Sequence, residues 1–208
     1  MNLNITWVQF AVCNDNPTKD FENMCRRLFR AKYLNDEVEI HSNHNMPGIE
    51  VLPVLELERF DGKPRRRISF QAKYVEQPKY AYTEFQKSAC QTVRNFRNEV
   101  DCVYLFCNKT LTTTSKAYKS IEKIFMDAGI QVVPISNNEL LDMVCENEDI
   151  KKYFFTPRMG GKLTQATNYH GITVVNVTSN VTISQEAFAP KPENSILLNK
   201  LVAEKLDS

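Results

Sequence analysis

The sequence has no long apolar run, no surplus of either charge and no cysteine motif, and each absence excludes a class of protein. None of its hydrophobic stretches approaches the roughly 20 residues that a transmembrane helix needs. The 26 lysines and arginines are balanced by 25 aspartates and glutamates, so the chain lacks the global positive field of many nucleic-acid binders. The N-terminus also lacks the basic start and apolar core of a signal peptide. We therefore expect a cytoplasmic protein that does not enter a membrane.

The cysteines and histidines are too scattered for a zinc site. None of the six cysteines belongs to a C-x-x-C pair, and His41 and His44 lack the helical spacing of a ligand pair. Cys102 and Cys107 flank an apolar run, which is typical of buried, reduced thiols. We expect a reduced protein with a solvated loop around the two histidines.

The composition is that of a globular domain with an appendage. Hydrophobic residues make up 42% of the 208 residues and charged residues 25%, which excludes wholesale disorder. After about residue 150 the periodic pattern gives way to a Gly-containing break, a Val/Thr-rich stretch and a Pro-rich stretch. We expect a first domain over residues 1–150 and an appendage or linker of unknown role over residues 151–208.

Hydrophobic periodicity within the first domain predicts alternating helices and strands. Apolar residues recur at helical spacing in four segments, and two short continuous apolar runs have the length of covered strands. Because strands and helices alternate, the fold class expected is α/β, with a mixed sheet flanked by helices. The predicted helices cover residues 20–34, 82–98, 115–128 and 137–147, and the predicted buried strands cover residues 100–107 and 130–135.

An Asp61-Gly62 pair between two β-rich runs, residues 48–59 and 65–75, predicts a hairpin. If these are the two loop residues, Glu50 lies opposite Lys73, and Gln71 lies on the same face as Lys73. One face of the hairpin is then charged and the other apolar. The other pairs on the charged face are Glu58 with Arg65, Glu56 with Arg67 and Leu52 with Gln71, and the apolar face pairs Leu55 with Ile68, Pro53 with Phe70, Val51 with Ala72 and Ile49 with Tyr74.

Glu50, Gln71 and Lys73 have the chemistry of a magnesium-dependent phosphodiesterase. A hard divalent cation takes oxygen ligands such as a carboxylate and an amide oxygen, and it usually keeps several waters. The cation lowers the pKa of a bound water, and a neighbouring lysine can orient that water or stabilise the transition state. The predicted hairpin brings these three residue types together.

The segments Pro47-Gly-Ile-Glu-Val51 and Phe70-Gln-Ala-Lys-Tyr74, after a helix that carries Glu22, resemble the PD-(D/E)XK nuclease superfamily. They are similar to its Mrr-type branch and to effector nucleases of bacterial anti-phage systems. Those effectors include the double-strand DNA endonucleases of cyclic-oligonucleotide signalling and the N-terminal domains of antiviral STAND NTPases. The resemblance covers about residues 18–147. It implies a restriction-endonuclease-like fold with the element order αβββαβ, once one further strand is counted.

The resemblance also implies a role for each residue of the motif. Glu50 matches the acidic metal ligand, Gln71 the second-strand ligand and Lys73 the catalytic lysine, while the backbone carbonyl of Ala72 would be a further ligand. Glu22 matches the first-helix glutamate that approaches the metal directly or through water. The implied cofactor is Mg²⁺, with Mn²⁺ as a substitute. Gln71 stands where a carboxylate is common, so metal affinity would depend more on Glu50 and Glu22.

Each of these residues also has a structural interpretation. Glu50 and Lys73 can form a cross-strand ion pair on a solvated face, and Glu22 can be a surface charge on its helix. Glu56 and Glu58 are rival acids. Because an arginine is expected opposite each of these two glutamates, an ion pair that stabilises the hairpin is the favoured interpretation for both.

Basic residues crowd the predicted hairpin tip and its surroundings. Such local enrichment suits contacts to the phosphates of a duplex. The alternative is a solvated turn, balanced by Glu56, Glu58 and Asp61. The DNA-binding residues expected are Arg59, Lys63, Arg65, Arg66, Arg67 and Lys79.

The function expected is that of a metal-dependent DNA endonuclease, acting as an effector in bacterial anti-phage defence. Such an effector has to be restrained when idle. We therefore expect an activating sensor, an oligomerisation partner or a C-terminal region absent from this sequence, and a homo-oligomer in the active state. Two alternatives remain: a catalytically inactive nuclease-fold module for DNA binding or assembly, and a structural α/β protein.

Overall fold

The computed structural model describes residues 5–34, 40, 47–57 and 63–157, and the backbone of residues 168–169 and 172–173. The chain divides into two compact units, Met1–Gly161 and Lys162–Ser208. The first unit thus runs past residue 150, because a helix over residues 148–155 packs into its core. In the second unit, the two-residue strands Asn168–Tyr169 and Ile172–Thr173 pair antiparallel.

The first unit contains the four predicted helices and both predicted strands, with ends that differ by a few residues. The strand at residues 102–107 is buried as predicted, whereas the strand at residues 131–136 buries only Ile135. Two helices, at residues 7–13 and 148–155, were not predicted. Among the described residues, no helix is both long enough and apolar enough to span a membrane. The elements are α1 Trp7–Cys13, α2 Pro17–Tyr33, β1 Val54–Leu55, β2 Arg67–Lys73, α3 Pro78–Phe96, β3 Cys102–Cys107, α4 Lys116–Met126, β4 Gln131–Ser136, α5 Asn138–Cys145 and α6 Glu148–Phe155.

Local signals determine where several helices begin and end. The side chain of Asn16 caps α2 by accepting a hydrogen bond from the Lys19 backbone N–H, and Pro17 occupies the first turn. Ser115 caps α4 in the same way. Gly129, at φ +75°, follows α4 in the left-handed conformation that glycine adopts most easily.

The first unit is a mixed α/β structure with four strands in the order β1-β2-β3-β4. Strand β1 is antiparallel to β2, and β2, β3 and β4 are parallel. Helices α3 and α4 make the connections between the parallel strands. The predicted mixed sheet with flanking helices is confirmed at this level.

The predicted hairpin register is wrong. Leu55 pairs with Arg67, and Val54 with Ile68, one residue away from the expected register. The register shifts again toward Glu50, whose backbone N–H donates to the Phe70 carbonyl at 2.9 Å. Pro53 lies between these two registers and has no N–H for a regular ladder. The predicted Asp61-Gly62 turn lies outside the described residues.

The shifted register reverses the expected burial at β1. Leu55 is 51% exposed, whereas Glu56 is only 6% exposed. Strand β2 is also covered on both faces, so Ser69 and Gln71 are fully buried rather than part of a solvated charged face. The reason is that α3 covers the face on which a two-stranded hairpin would meet water.

The sheet separates two hydrophobic clusters. One cluster contains residues of α1, α2, α5 and α6, and Phe70, Tyr104 and Phe106 face it from the sheet. The other contains residues of α3 and α4, which pack on Val103 and Leu105. Burial of each phenylalanine contributes about 1.5–3 kcal/mol, so α2 and α3 are held firmly on opposite faces of β2.

Candidate active site

A pocket of about 270 Å³ opens at the carboxyl end of β2, between α2 and α3. Its walls come from α2, from the segment at residues 47–50, from the last residue of β2 and from one side of α3. The walls carry charges of both signs. The lining residues are Glu22, Pro47, Gly48, Ile49, Glu50, Lys73, Glu84, Lys87, Ser88 and Gln91.

Glu50 and Lys73 meet in this pocket. Glu50 Oε1 lies 3.5 Å from Lys73 Nζ, and the two side chains are 19% and 22% exposed. The hydrogen bond from Glu50 N to Phe70 O holds the glutamate beside β2, and Lys73 ends that strand. The two side chains therefore lie together as predicted, although the register that produces the contact differs from the predicted one.

Helix α2 brings a carboxylate and a cation to the same place. Glu22 lines the pocket, and Arg26 follows it by one helical turn, so both side chains project from one side of α2. Burial lowers the pKa of Arg26, while the charges of Glu50 and Glu22 oppose that shift. Two carboxylates and two cations, including Lys73, thus balance each other around this corner of the pocket.

Gln71 lies behind the pocket wall instead of lining it. Its Nε2 donates to the carbonyl oxygen of Gly48 and, at 3.0 Å, to Thr92 Oγ1. Its Oε1 is buried and accepts no hydrogen bond within the described part of the chain. Ala72 is likewise 2% exposed. The amide is thus held in one orientation, with one buried oxygen that has an open acceptor site.

The close fit of Gly48 against α3 holds the pocket wall and the Gln71 side chain in place. Gly48 has φ +96°, and its carbonyl also accepts a hydrogen bond from Thr92 Oγ1 at 2.6 Å. A Cβ atom on Gly48 would lie 2.7 Å from Thr92 Oγ1 and 2.8 Å from the Ser88 carbonyl oxygen. Only glycine satisfies both the backbone conformation and the approach to α3.

The oxygen donors around the pocket fit a hard divalent cation. Glu22 and Glu50 supply carboxylates, and the buried Oε1 of Gln71 is an acceptor that lacks a partner among the described residues. In the same part of the chain, no three Asp, Glu, His or Cys side chains converge to form a metal cage. The donor set therefore fits a cation that retains waters.

Two of the predicted DNA-binding arginines form ion pairs within the protein. Arg66 forms a bidentate salt bridge with Glu56. Its Nη2 donates to Oε2 at 2.7 Å, and its Nε donates to Oε1 at 2.9 Å. Arg67 contacts Asp101 at 2.7 Å, and this hydrogen bond lowers the pKa of Asp101. The expected pairing of Glu56 with Arg67 is therefore wrong, because the register differs.

The remaining members of the predicted DNA-binding set have different surroundings. Arg65 Nε donates to the Glu56 carbonyl at 2.6 Å. Lys63 and Lys79 are exposed, and Lys79 Nζ lies 5.0 Å from the centre of the Tyr80 ring. Arg59 and the rival acid Glu58 lie outside the described residues.

Sequence reasoning missed Arg26 and the contribution of α3 to the pocket. Glu84, Lys87 and Gln91 line it together with Ser88. The available signal was their spacing, since residues three, four and seven positions apart share one side of a helix. That spacing identifies the shared side but does not identify the element it faces.

Comparisons with known proteins add no family to this description. No protein-family model matches the chain, and no curated protein matches it at a significant level. The pocket and the resemblance of the motif are the features that indicate a function for this protein.

Proposed function

We propose that the protein is a metal-dependent DNA endonuclease with a restriction-endonuclease-like fold, of the PD-(D/E)XK type. The observation that carries the proposal is the 3.5 Å contact between Glu50 and Lys73 in a pocket that Glu22 also lines. An acid from one extended segment, a lysine from the next strand and an acid from the preceding helix form the constellation that the resemblance implies. We propose a role in bacterial anti-phage defence on the same resemblance.

The order of elements around the pocket supports the fold part of the proposal. From α2 to β3 the described residues follow the order helix, strand, strand, helix, strand, and the last strand is parallel to β2. This order agrees with αβββαβ except that the described residues contain two strands before α3 instead of three. Glu22, Glu50 and Lys73 line the pocket at the end of β2, together with residues of α3.

A bound Mg²⁺ would be held by the pocket-lining carboxylates of Glu22 and Glu50, with the Gln71 amide oxygen behind the wall as a further donor, and would polarise the phosphodiester and acidify a water. Lys73 can donate a hydrogen bond to a phosphate oxygen and stabilise the charge that develops on it. In the reaction, water adds to phosphorus and the bond to the leaving oxygen breaks. That oxygen takes up a proton, and the proton from the attacking water passes to solvent.

The resemblance extends the proposal to partners. Double-stranded DNA is the proposed substrate, in the cytoplasm. We further propose that a sensor, an oligomerisation partner or additional C-terminal sequence activates the protein, and that the active form is a homo-oligomer.

Plasmid cleavage tests the proposal, at several protein concentrations and with Mg²⁺, Mn²⁺ or EDTA. We expect nicking or linearisation that needs the cation, reduced at least about a hundredfold in Glu50→Gln and in Lys73→Met. Lys123→Met, at an exposed position of α4, is the matched control and keeps full activity. Cleavage that persists unchanged in both pocket variants would refute the proposed site.

A second candidate function is a nuclease-fold module that binds DNA without cleaving it. The observation that favours it is the burial of Gln71 behind the wall, together with the balanced charges of Glu22, Glu50, Arg26 and Lys73. A site whose carboxylates already have cationic partners needs no metal for neutrality. Duplex binding with no cleavage under any of these conditions would support the module.

A further inference from the structure

One side of α3 exposes two cations beside the pocket. We define the α3 face as Glu84, Lys87, Gln91 and Arg94. The first three line the pocket, and Arg94 follows Lys87 by two helical turns on the same side. Lys87 and Arg94 are both exposed. Neither side chain makes a hydrogen bond or an ion pair with another residue in the described ranges.

This situation differs from that of Arg66 and Arg67. Each of those guanidinium groups already contacts a carboxylate at 2.7 Å. A phosphate that approached them would have to replace or share that carboxylate. Lys87 and Arg94 can instead bind a phosphate without breaking an internal contact, and their main cost is partial loss of hydration and side-chain freedom.

We infer that the α3 face holds the phosphate backbone of one nucleic-acid strand against the pocket, through Lys87 and Arg94. The inference rests on the proposed function for the identity of the partner. It assigns the main phosphate contacts to α3 instead of to the basic residues around the predicted hairpin tip. Lys87 contacts a phosphate next to the reacting one, because it shares the pocket with Lys73.

The spacing along α3 suits such a strand. Seven residues of α-helix rise by about 10.5 Å, which corresponds to about three phosphates of one strand at 3.4 Å along the duplex axis. Glu84 lies one turn before Lys87 and repels phosphates at that end of the face. The nucleic-acid strand therefore runs from the pocket past Lys87 toward Arg94.

Duplex binding measured by fluorescence anisotropy in EDTA, over a range of salt concentrations, tests the inference. We expect Lys87→Gln and Arg94→Gln each to weaken binding equally on unrelated duplex sequences. Each should also reduce the slope of log affinity against log salt by about one. Lys87→Arg keeps the charge and should bind like the unmodified protein. Lys116→Gln and Lys123→Gln, at exposed positions of α4, are matched controls that change neither quantity.

The outcomes separate this inference from the proposed function. If Lys87→Gln and Arg94→Gln bind like the unmodified protein while Lys63→Gln and Arg65→Gln bind weakly, the inference is wrong and cleavage remains a separate question. If Lys87→Gln and Arg94→Gln bind duplex weakly but neither the unmodified protein nor any variant cleaves DNA, the α3 face is supported as a binding surface and the proposed nuclease activity is wrong. An unmodified protein that binds no duplex at any salt concentration overturns both.

Discussion

Gly48 fits against α3 only because it has no side chain: a Cβ atom there would lie 2.7 Å from Thr92 Oγ1. The Gly48 carbonyl accepts hydrogen bonds from both Thr92 and Gln71, so this one residue connects the pocket wall to α3 and to β2. The geometry of the pocket therefore depends on a residue that contributes no functional group to it.

Gly48→Ala should be strongly destabilising. The substitution adds the cost of a positive φ to a clash with the backbone of α3, and we expect a loss of about 2–4 kcal/mol in the free energy of unfolding. Gly129→Ala is the control, because Gly129 also has positive φ but faces open space, so it should lose only about 1–2 kcal/mol. Urea unfolding of both variants measures the difference, and equal losses would contradict the close contact.

Gln71→Glu tests whether the position behind the wall can serve a cation. In EDTA the buried carboxylate would oppose the Gly48 carbonyl, so the variant should lose about 3–5 kcal/mol of stability. Mn²⁺ should then raise its melting temperature by about 5 °C more than that of the unmodified protein. Gln71→Leu, which offers no oxygen, should respond to Mn²⁺ less than the unmodified protein does. If Mn²⁺ raised the melting temperatures of the two variants equally, position 71 would not contribute a ligand to the cation.

Arg26→Gln should increase the affinity of the pocket for divalent cations. Removal of one positive charge near Glu22 and Glu50 leaves their field less compensated, and we expect Mn²⁺ to bind about tenfold more tightly. Isothermal titration without DNA measures this affinity directly. Arg27→Gln is the control, because the Arg27 guanidinium lies 4.2 Å from the centre of the Tyr153 ring instead. An unchanged or lower affinity in Arg26→Gln would show that Arg26 does not neutralise the site.

The two arginine ion pairs should contribute unequally to stability. Arg66→Met leaves the buried Glu56 carboxylate without its main partner, and we expect a loss of about 3 kcal/mol. Asp101→Asn breaks a pair whose side chains are about two-fifths exposed, so it should lose less than about 1 kcal/mol. Because Arg67 lowers the pKa of Asp101, the contribution of this second pair is present above the ordinary aspartate pKa and is lost on acidification.

Thermal unfolding from pH 7 to pH 3 measures both effects. A larger loss in Asp101→Asn than in Arg66→Met would contradict the greater contribution expected of the more buried pair, Arg66 with Glu56.

The buried thiols should make the protein sensitive to alkaline pH. Burial raises the pKa of Cys25, and it raises the pKa of Cys107 to about 11. The folded state therefore retains protons that the unfolded state releases above about pH 8.5, so this stabilisation is complete below that pH and is lost as pH rises toward 11. Urea unfolding at pH 7, 9 and 10 should show falling stability. Cys107→Ser should weaken the dependence, and an unchanged pH dependence would contradict burial as the cause.

Most of the fold could be predicted from local patterns. Helices α2 to α5 and strands β2 to β4 follow from apolar periodicity, from the caps at Asn16 and Ser115 and from Gly129, because these signals act within a few residues. Helix α1 has seven residues and buries only Phe10, so its periodicity is weak. Helix α6 crosses residue 150, where the sequence pattern was interpreted as the end of the domain. They are stabilised by aromatic contacts with distant residues, such as Phe10 with Phe154.

The sequence by itself determined that the segments around Glu50 and Lys73 would be neighbouring extended segments, but the register that brings the two side chains to 3.5 Å was decided by the tertiary structure. Only the tertiary structure decided which other groups share their pocket. Helix α3 covers one face of β2, which buries Gln71 and brings Lys87 to the wall, while α2 adds Arg26 beside Glu22. The physical reason is that the packing of helices on a sheet depends on the whole apolar surface buried, and no short stretch of sequence contains that information.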